Sequence, residues 1–177
     1  MTQAQKAHDD HEPIPEDREV KEYAGYLLQL AGRYREAALD RSLAQLGLNA
    51  TKCRALGIIR RLKSCTMGEL AFFSTVDRTT LTRIVDQLTA VGLVERGAAA
   101  GDRRKVILTL TAKGSRLHQK SLVIIQDVNR NVFADVPEDK LHAATRVLKA
   151  AIASVVDDPH ELQMLLTFSR TPNETRR

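Results

Sequence analysis

The chain has 177 residues, of which 43% are hydrophobic and 28% are charged, so its composition is that of a folded protein with a core and not of a disordered one. Its formal net charge of +5 and its pI of about 9.4 favour a polyanionic partner such as nucleic acid or a membrane surface. The sequence has neither a run of about eighteen apolar residues nor an apolar N-terminal segment, so we expect no transmembrane helix and no signal peptide, and hence a cytoplasmic protein.

The first quarter of the sequence predicts an arm and one long helix. Residues 1–18 are polar and contain two prolines, which is typical of a flexible arm. From about Val20 to just before Gly47, apolar residues recur at steps of three and four, the period of an amphipathic helix. These residues are Tyr23, Tyr26, Leu27, Leu30, Tyr34, Ala37 and Ala38. All three tyrosines of the chain therefore lie on this helix, where they can pack in a dimer core or line a ligand pocket.

Two shorter helices are predicted next. Residues 48–51 form a linker that can cap a helix over roughly residues 51–63. The side chains that we expect to face inward on this helix are Leu56, Ile59 and, as a third candidate, Cys53. Thr66 and Glu69 have the spacing of a capping box, in which each side chain bonds the backbone amide of the other residue. This box predicts a short helix that ends at about Phe73.

The following helix is predicted to have two different faces. Residues 74–76 form a tight connection, Asp77 is a good N-cap for a helix over about 78–91, and Gly92 ends that helix. Its apolar stripe consists of Leu81, Ile84, Val85, Leu88 and Val91. The opposite face carries Arg78, Thr79, Thr82, Arg83, Asp86 and Gln87. Such a division predicts a helix that packs on a core through one side and offers polar groups to a partner on the other.

The pattern then changes to that of a β-hairpin. Residues 93–96 and the β-branched, apolar run 105–110 predict two short strands. Residues 97–104 lie between them and contain Gly97 and Gly101, which predicts a mobile hairpin tip.

The C-terminal third predicts two further long helices and a tail. Thr111 caps a helix that runs to about Val132, and Pro137 suits the first turn of the last long helix. The apolar side of the first is Leu117, Ser121, Ile124, Ile125 and Val128, and that of the second is Leu141, Ala144, Thr145, Leu148, Ala151, Ile152 and Val155. After about Asp157 we expect a tail with one more helical turn at residues 162–168.

This order of elements predicts a mainly α fold with a small β-hairpin wing, which is a winged helix-turn-helix flanked by long helices. In such a fold the first turn of helix 78–91 meets base edges in the major groove, where Arg can bond guanine and Thr can bond a base or contact a thymine methyl group. The candidate contacts there are Arg78, Thr79, Thr80, Thr82 and Arg83. At the hairpin, Arg103 and Arg104 can enter a narrow minor groove, and Asp102 can hold one guanidinium in place.

Five short motifs occur at compatible spacings between residues 48 and 118. They are Asp77–Arg83, Leu88, Gly92–Val94, Asp102–Arg104 and Leu110–Gly114. Together they resemble the MarR family of bacterial regulators. The resemblance implies a homodimer whose first helix and last two helices interleave with those of its partner. It also implies recognition helices in successive major grooves of palindromic double-stranded DNA, with wings in the flanking minor grooves. In that arrangement Arg104 enters the groove, Asp102 braces it, and Arg103 contacts the DNA backbone.

The same resemblance implies a function and a domain organisation. A transcriptional repressor is favoured over an activator, and a small molecule releases it from DNA; in this family the effector is often an aromatic or phenolic anion and sometimes a thioester. The candidate ligand-binding residues are Tyr23, Tyr26, Arg33, Tyr34, Arg54 and His118. The predicted organisation is an arm (1–18), a first dimerisation helix (19–47), a winged helix-turn-helix lobe (48–112), C-terminal dimerisation helices (113–157) and a tail (158–177).

Three features depart from the family pattern. The turn at residues 74–76 lacks the glycine often found there, and residues 98–100 of the wing are all alanine. Phe72 and Phe73 are bulkier than is usual at the end of the short helix. We expect these differences to affect the helix crossing and the wing contacts, and not the fold.

The sequence is also compatible with two other functions. A redox-sensing regulator would act through Cys53 or Cys65, although buried and inert thiols are favoured, and a dimeric interaction protein would keep the fold without binding DNA. An enzyme is not predicted, because there is no phosphate-binding glycine loop and no nucleophile elbow. We expect no cofactor and no metal, since His8 and His11 have no further ligands at zinc-like spacing.

Overall fold

A computed structural model describes the backbone of residues 17–74, 76–99 and 102–168, and their side chains other than those of residues 17–19, 99 and 102–105. The predicted N-terminal arm therefore lies almost wholly outside the described residues. The chain divides into two compact units, residues 1–38 and 39–177, which are described separately below. This division does not test the predicted domain boundaries, which remain predictions.

The first unit contains most of helix α1, which spans Asp17–Leu43 and so begins slightly before the predicted start at Val20. Within residues 20–34, apolar side chains are largely exposed in the single chain. The large exposed apolar residues of α1 are Val20, Tyr23, Tyr26, Leu27, Leu28 and Tyr34. The second unit begins with the end of α1, where Leu39 and Leu43 are buried. A 3₁₀ turn over Ala44–Leu46 follows, and Gly47 closes it with a φ of +68°.

Helices α2 (Ala50–Leu62), α3 (Met67–Ser74) and α4 (Arg78–Ala90) build the helix-turn-helix. Each of these helices begins at a cap formed by residues that lie close to it in the sequence. The Asn49 side chain accepts the Lys52 amide at 2.8 Å, which identifies the capping residue of the predicted linker. At α3 the predicted capping box is confirmed. The Thr66 amide donates to a Glu69 carboxylate oxygen at 2.7 Å, and the Glu69 amide donates to the Thr66 hydroxyl at 3.2 Å.

The sheet has three antiparallel strands in the order β1–β3–β2: β1 is Ser64–Cys65, β2 is Val94–Ala99 and β3 is Asp102–Leu110. Strand β1 was not predicted, because two residues are too few to show an alternating pattern. The prediction that the hairpin tip spans residues 97–104 was wrong. The strands continue to Ala99 and from Asp102, because Gly97 pairs with Ile107 and Ala98 with Val106. Val106 and Ile107 of β3 are β-branched and favour an extended backbone, which offers pairing partners to Ala98 and Gly97 of β2.

Three helices complete the chain: α5 (Ala112–Val132), α6 (Glu138–Ala153) and α7 (Pro159–Phe168). Thr111 caps α5 as predicted, since its hydroxyl accepts the Gly114 amide at 2.9 Å. Pro137 is the residue before α6, so its predicted place inside the first turn was wrong by one position. Helix α7 has 10 residues, where only one turn was predicted in a tail. None of the described helices combines the length and the apolar character that a membrane crossing requires.

The core of the second unit lies between α2, α3, α4 and the sheet. Its fully buried large side chains include Leu43, Leu56, Ile59, Leu70, Leu81, Leu88 and Leu108. Burying one such side chain contributes about 1.5–3 kcal/mol, so these residues dominate the stability of the lobe. Of the stripe predicted on α4, Leu81, Ile84, Val85 and Leu88 are buried. Val91 is 54% exposed, so its prediction was wrong: the helix ends at Ala90, and the chain turns away at Gly92.

Candidate nucleic-acid interface

The N-terminus of α4 is held by its cap. An Asp77 side-chain oxygen accepts the Thr80 amide at 2.8 Å. Hydrogen bonds from the Thr80 hydroxyl and then the Thr80 amide lower the pKa of Asp77 below its ordinary value, so the carboxylate stays ionised at neutral pH. A negative charge at this end also suits the helix dipole. The first turn of α4 is therefore fixed in position while its outer side chains face solvent.

Four of the five predicted contact residues on α4 are exposed: Arg78, Thr79, Thr82 and Arg83. They lie opposite the buried stripe, so a partner can reach them without moving the core. Thr80 is half-buried and takes part in the Asp77 cap, which makes it a positioning residue more than a contact residue. The Thr82 hydroxyl donates to the Arg78 carbonyl at 2.9 Å, and its oxygen keeps its capacity to accept a hydrogen bond.

The turn between α3 and α4 is organised by Ser74, a role that the sequence did not reveal. Its side chain is 1% exposed. The hydroxyl donates to the Ala71 carbonyl at 3.2 Å and accepts the Val76 amide at 3.3 Å. Arg54 of α2 also bonds this turn, because its Nη1 donates to the Ser74 carbonyl at 3.3 Å. These bonds set the crossing of α3 and α4 without the glycine that is common at such turns.

The wing is tied to α4 by an ion pair that the sequence did not predict. Arg96 of β2 donates to Asp86 of α4 at 2.6 Å. The two residues are ten positions apart on different elements, so no local pattern signals the contact. The pair is solvent-exposed, with 40% and 55% of the two side chains accessible, and is expected to orient the wing more than to stabilise it.

The predicted wing contacts Asp102, Arg103 and Arg104 lie in β3, and their side chains are outside those described. Their backbone is irregular at this point. Ala98 pairs with Val106 and Ala99 with Asp102, so the register shifts and residues 103–105 lie opposite a single step of β2. Irregularities of this kind re-aim side chains at the edge of a sheet. The predicted minor-groove contacts at residues 102–104 therefore lie at the register shift between β2 and β3.

The base of the wing is anchored to the start of α5. The Thr111 hydroxyl donates to the Gly92 carbonyl at 2.8 Å, and Lys113 Nζ donates to the Val91 carbonyl at 2.8 Å. The Thr111 amide donates to the Leu93 carbonyl at 3.1 Å. Three hydrogen bonds therefore fix the start of α5 to the residues that lead into the wing.

The predicted ligand residues lie in different settings. Tyr23, Tyr26 and Tyr34 are 49%, 58% and 60% exposed on α1. The Arg33 guanidinium lies 5.5 Å from the centre of the Tyr34 ring. His118 of α5 is 7% exposed, and its Nδ1 has no hydrogen-bond partner among the described residues. Burial lowers the pKa of His118, and the positive charge of Arg60 lowers it further, so the ring is neutral at pH 7.

Both cysteines are free and buried. Burial raises the pKa of Cys53, partly offset by a hydrogen bond with Ser121. Burial and the negative charge of Glu69 raise the pKa of Cys65 to about 11. Thiolates are the reactive form, so this setting disfavours a redox sensor. In the described part of the chain, no group of three or more His, Cys, Asp or Glu residues could hold a metal ion.

Comparison with known proteins shows that residues 48–106 match one protein family. The family model described as MarR family matches residues 48–106. The multiple antibiotic resistance protein MarR of Salmonella typhimurium is 30% identical over 116 residues, which cover 63% of this chain and 81% of that protein. The homoprotocatechuate degradative operon repressor of Escherichia coli is 27% identical over 106 residues, or 60% of this chain and 72% of that protein.

A solved structure extends the similarity to a DNA complex. A cysteine-to-serine mutant of MarR from Escherichia coli, crystallised with operator DNA, matches with a TM-score of 0.67 and 26% identity. The match covers 72% of this chain and 91% of that one. The predicted fold class, a mainly α protein with a small wing, is confirmed by the observed elements and by this similarity.

Proposed function

The chain belongs to the MarR family, and on that basis we propose that it is a transcriptional repressor that binds palindromic double-stranded DNA as a homodimer. The observation that carries the proposal is the exposed arginine- and threonine-rich face of α4. The Asp77 cap holds the N-terminus of this helix, and Asp86 further along it pairs with Arg96 of the wing. A relative named as an operon repressor and a MarR structure solved with operator DNA support it.

In the proposed complex each half-site receives one α4. Arg78 and Arg83 donate to guanine edges or to phosphates, while Thr79 and Thr82 bond bases or contact thymine methyl groups. The wing lies in the flanking minor groove, with Arg104 inserted, Asp102 bracing it and Arg103 on the backbone. Because the recognition helices of a two-fold dimer meet successive major grooves, the half-sites should be about 34 Å apart.

A homodimer is supported by apolar side chains that a single chain leaves in water. Besides those on α1, the large exposed residues include Leu122, Val123 and Val132 of α5 and Val147, Leu148 and Ile152 of α6. Many large apolar side chains exposed on the same helices favour an interface with a partner. We therefore assign α1, α5 and α6 to dimerisation. We also propose that the protein acts in the cytoplasm, where the DNA that it binds lies.

Release of the operator is assigned to a small molecule, of which aromatic or phenolic anions and thioesters are the candidates to screen. A ligand can shift DNA affinity only if it prefers one spacing of the two lobes over the other. Tyr23, Tyr26, Arg33, Tyr34, Arg54 and His118 are proposed as ligand-contacting residues. Among them, Arg54 has a direct link to DNA binding, because it bonds the turn before α4.

The test is a fluorescence-anisotropy titration of the protein on the region upstream of its own gene, with scrambled competitor, at two salt concentrations. We expect specific binding at two chains per site and an affinity that falls steeply with salt. Arg83→Ala should cost about 1–3 kcal/mol with relaxed specificity if it contacts a base, or weaken all sequences equally if it contacts a phosphate. Arg104→Ala should also weaken binding.

Lys149→Ala removes one exposed cation from α6 and is the matched control for net charge. Equal loss of affinity in Lys149→Ala and Arg83→Ala would show that only total charge matters, and would refute the docking proposed for α4. Specific binding by none of these proteins, to this region or to fragments selected from the whole genome, would favour a dimeric interaction protein instead.

A further inference from the structure

The last turn of α7 contacts the helix-turn-helix at the C-terminal ends of α2 and α3. The Phe168 ring stacks on the Phe73 ring of α3, with centroids 4.1 Å apart and an interplanar angle of 21°. The Arg61 guanidinium of α2 lies 4.7 Å from the centre of the Phe168 ring, and its Nη2 donates to the Thr167 carbonyl at 2.9 Å. Phe73, one of the two phenylalanines that depart from the family pattern, is therefore a docking point for α7.

The docking of α7 depends strongly on this end of the helix. A cavity of about 440 Å³ lies beside the stack, lined by residues of α2 and α3 and by residues of α7. Side chains that face each other across such a cavity are not close-packed. Helix α7 has 10 residues, fewer than the roughly 12–15 that an isolated helix needs in water. We therefore expect the contacts of Phe168 with Phe73 and Arg61 to be decisive for the place of α7 on the lobe.

Two arginines of α2 act on the end of α3, one directly and one through α7. Arg54 and Arg61 are seven positions apart, so they lie on the same face of α2. Arg54 Nη1 donates to the Ser74 carbonyl at 3.3 Å. Arg61 contacts Phe168, which stacks on Phe73, the residue before Ser74. Neighbouring residues at the end of α3 are thus held by separate contacts, and the contact at Phe73 requires α7.

The end of α3 leads directly into the recognition helix. The buried Ser74 hydroxyl donates to the Ala71 carbonyl and accepts the Val76 amide, and Asp77 then caps α4. We propose that α7 is a positioning element of the DNA-binding lobe, in which Phe168 and Arg61 hold Phe73 and thereby set the angle at which α4 leaves the turn. The effect on operator affinity rests on the proposed function, whereas the hold on the turn does not.

The first test removes the ring from α7 in the full chain and measures operator affinity. Phe168→Ala should weaken operator binding about fivefold, because it removes the aromatic stack and the cation–π contact together. Phe168→Tyr keeps the ring and should restore wild-type affinity. Met164→Ala is the matched control, since Met164 is an exposed apolar residue of α7 that lines the cavity and takes no part in the stack.

The salt dependence of binding separates positioning from direct contact with DNA. Phe168→Ala changes no charge, so the plot of log affinity against log salt should move down without a change of slope. Arg61→Gln should also weaken binding with an unchanged slope, whereas loss of a phosphate contact would reduce the slope by about 1. Arg60→Gln is its control, because Arg60 is the neighbouring exposed arginine and bonds the Ser115 hydroxyl at 3.2 Å instead of Phe168 or Thr167.

A second test follows the turn itself without DNA. The Val76 amide, which bonds the Ser74 hydroxyl at 3.3 Å, should exchange its hydrogen faster in Phe168→Ala than in the wild type. The Glu69 amide, bonded to the Thr66 hydroxyl at the other end of α3, should keep its wild-type rate and is the internal control. Nuclear magnetic resonance measures both rates at a temperature where circular dichroism and sedimentation show that each variant is folded and keeps the wild-type oligomeric state.

The outcomes distinguish this role from the proposed function. Wild-type operator affinity in Phe168→Ala, or an equal loss in Met164→Ala, would overturn the positioning role, and so would a reduced salt slope in Arg61→Gln. If Phe168→Ala does not fold, Arg61→Gln and Arg60→Gln decide by the same measurements. Absence of operator binding by the wild type would refute the proposed function. Faster exchange at Val76 alone would then still support the hold of α7 on the turn, and an unchanged rate would overturn it.

Discussion

Substitution of Gly114, in the first turn of α5, tests the structure because helix propensity and tertiary packing predict opposite changes in stability. A Cβ atom added there would lie 2.0 Å from the Leu93 carbonyl oxygen and 2.9 Å from the Leu93 carbonyl carbon. Both are backbone atoms and cannot rotate away. By helix propensity alone, Gly→Ala in a helix stabilises by up to about 1 kcal/mol. By packing, Gly114→Ala must push α5 away from the base of the wing.

The cost of that displacement follows from the contacts at the junction. Overpacking a close-packed site typically costs about 1–3 kcal/mol. Moving the Leu93 carbonyl also weakens its bond from the Thr111 amide, now 3.1 Å long, which is worth about 1 kcal/mol. Subtracting the propensity gain, we expect Gly114→Ala to lower the free energy of unfolding by roughly 1–3 kcal/mol.

Urea denaturation followed by circular dichroism at fixed protein concentration measures this change, since a dimer's stability depends on concentration. Gly68→Ala is the matched control, because Gly68 also lies in the first turn of a helix, α3, and its nearest neighbour to an added Cβ is the Thr66 hydroxyl at 3.8 Å. That variant should be as stable as the wild type or slightly more stable. Equal stability of Gly114→Ala and the wild type would refute the close approach of α5 to the Leu93 backbone.

Three further predictions concern charge and reactivity. Because hydrogen bonds from Thr80 lower the pKa of Asp77, the cap stabilises the fold above the ordinary carboxyl pKa of about 4 and is lost as pH falls through the lowered value. The stability of the wild type relative to Asp77→Asn should therefore fall in acid, and a difference independent of pH would contradict this. Because its pKa is raised to about 11, Cys65 should resist iodoacetamide at pH 8 in the native protein and react after unfolding. Fast labelling of the native protein would show that the Cys65 thiol is not buried. A double-mutant cycle on Asp86 and Arg96 should give a coupling below about 1 kcal/mol, because the pair is exposed; a larger value would mean that the wing is held more rigidly than the structure implies.

Much of the candidate site could be predicted because its signals are local. A helix cap depends on a few neighbouring residues, so Asp77, Thr111 and the Thr66–Glu69 box were identified from spacing, and the structure confirms all three. The buried stripe of α4 follows from helical period in the same way. The fold class then follows from the order of the elements, since few arrangements bury these stripes together.

The remaining features depend on contacts between residues distant in the chain. Strand β1 exists only because β3 offers Thr109 and Leu108 as partners, and the wing extends to Ala99 because the opposite strand continues the ladder. The sequence shows a glycine at position 114 and a phenylalanine at position 73, but the Leu93 carbonyl and the Phe168 ring that explain them come from elsewhere in the chain. The sequence by itself determined the caps, the helix faces and the order of elements, because these act within a few residues. Tertiary packing alone decided the wing length, the turn held by Ser74 and the cavity under α7, because each requires surfaces that meet only after folding.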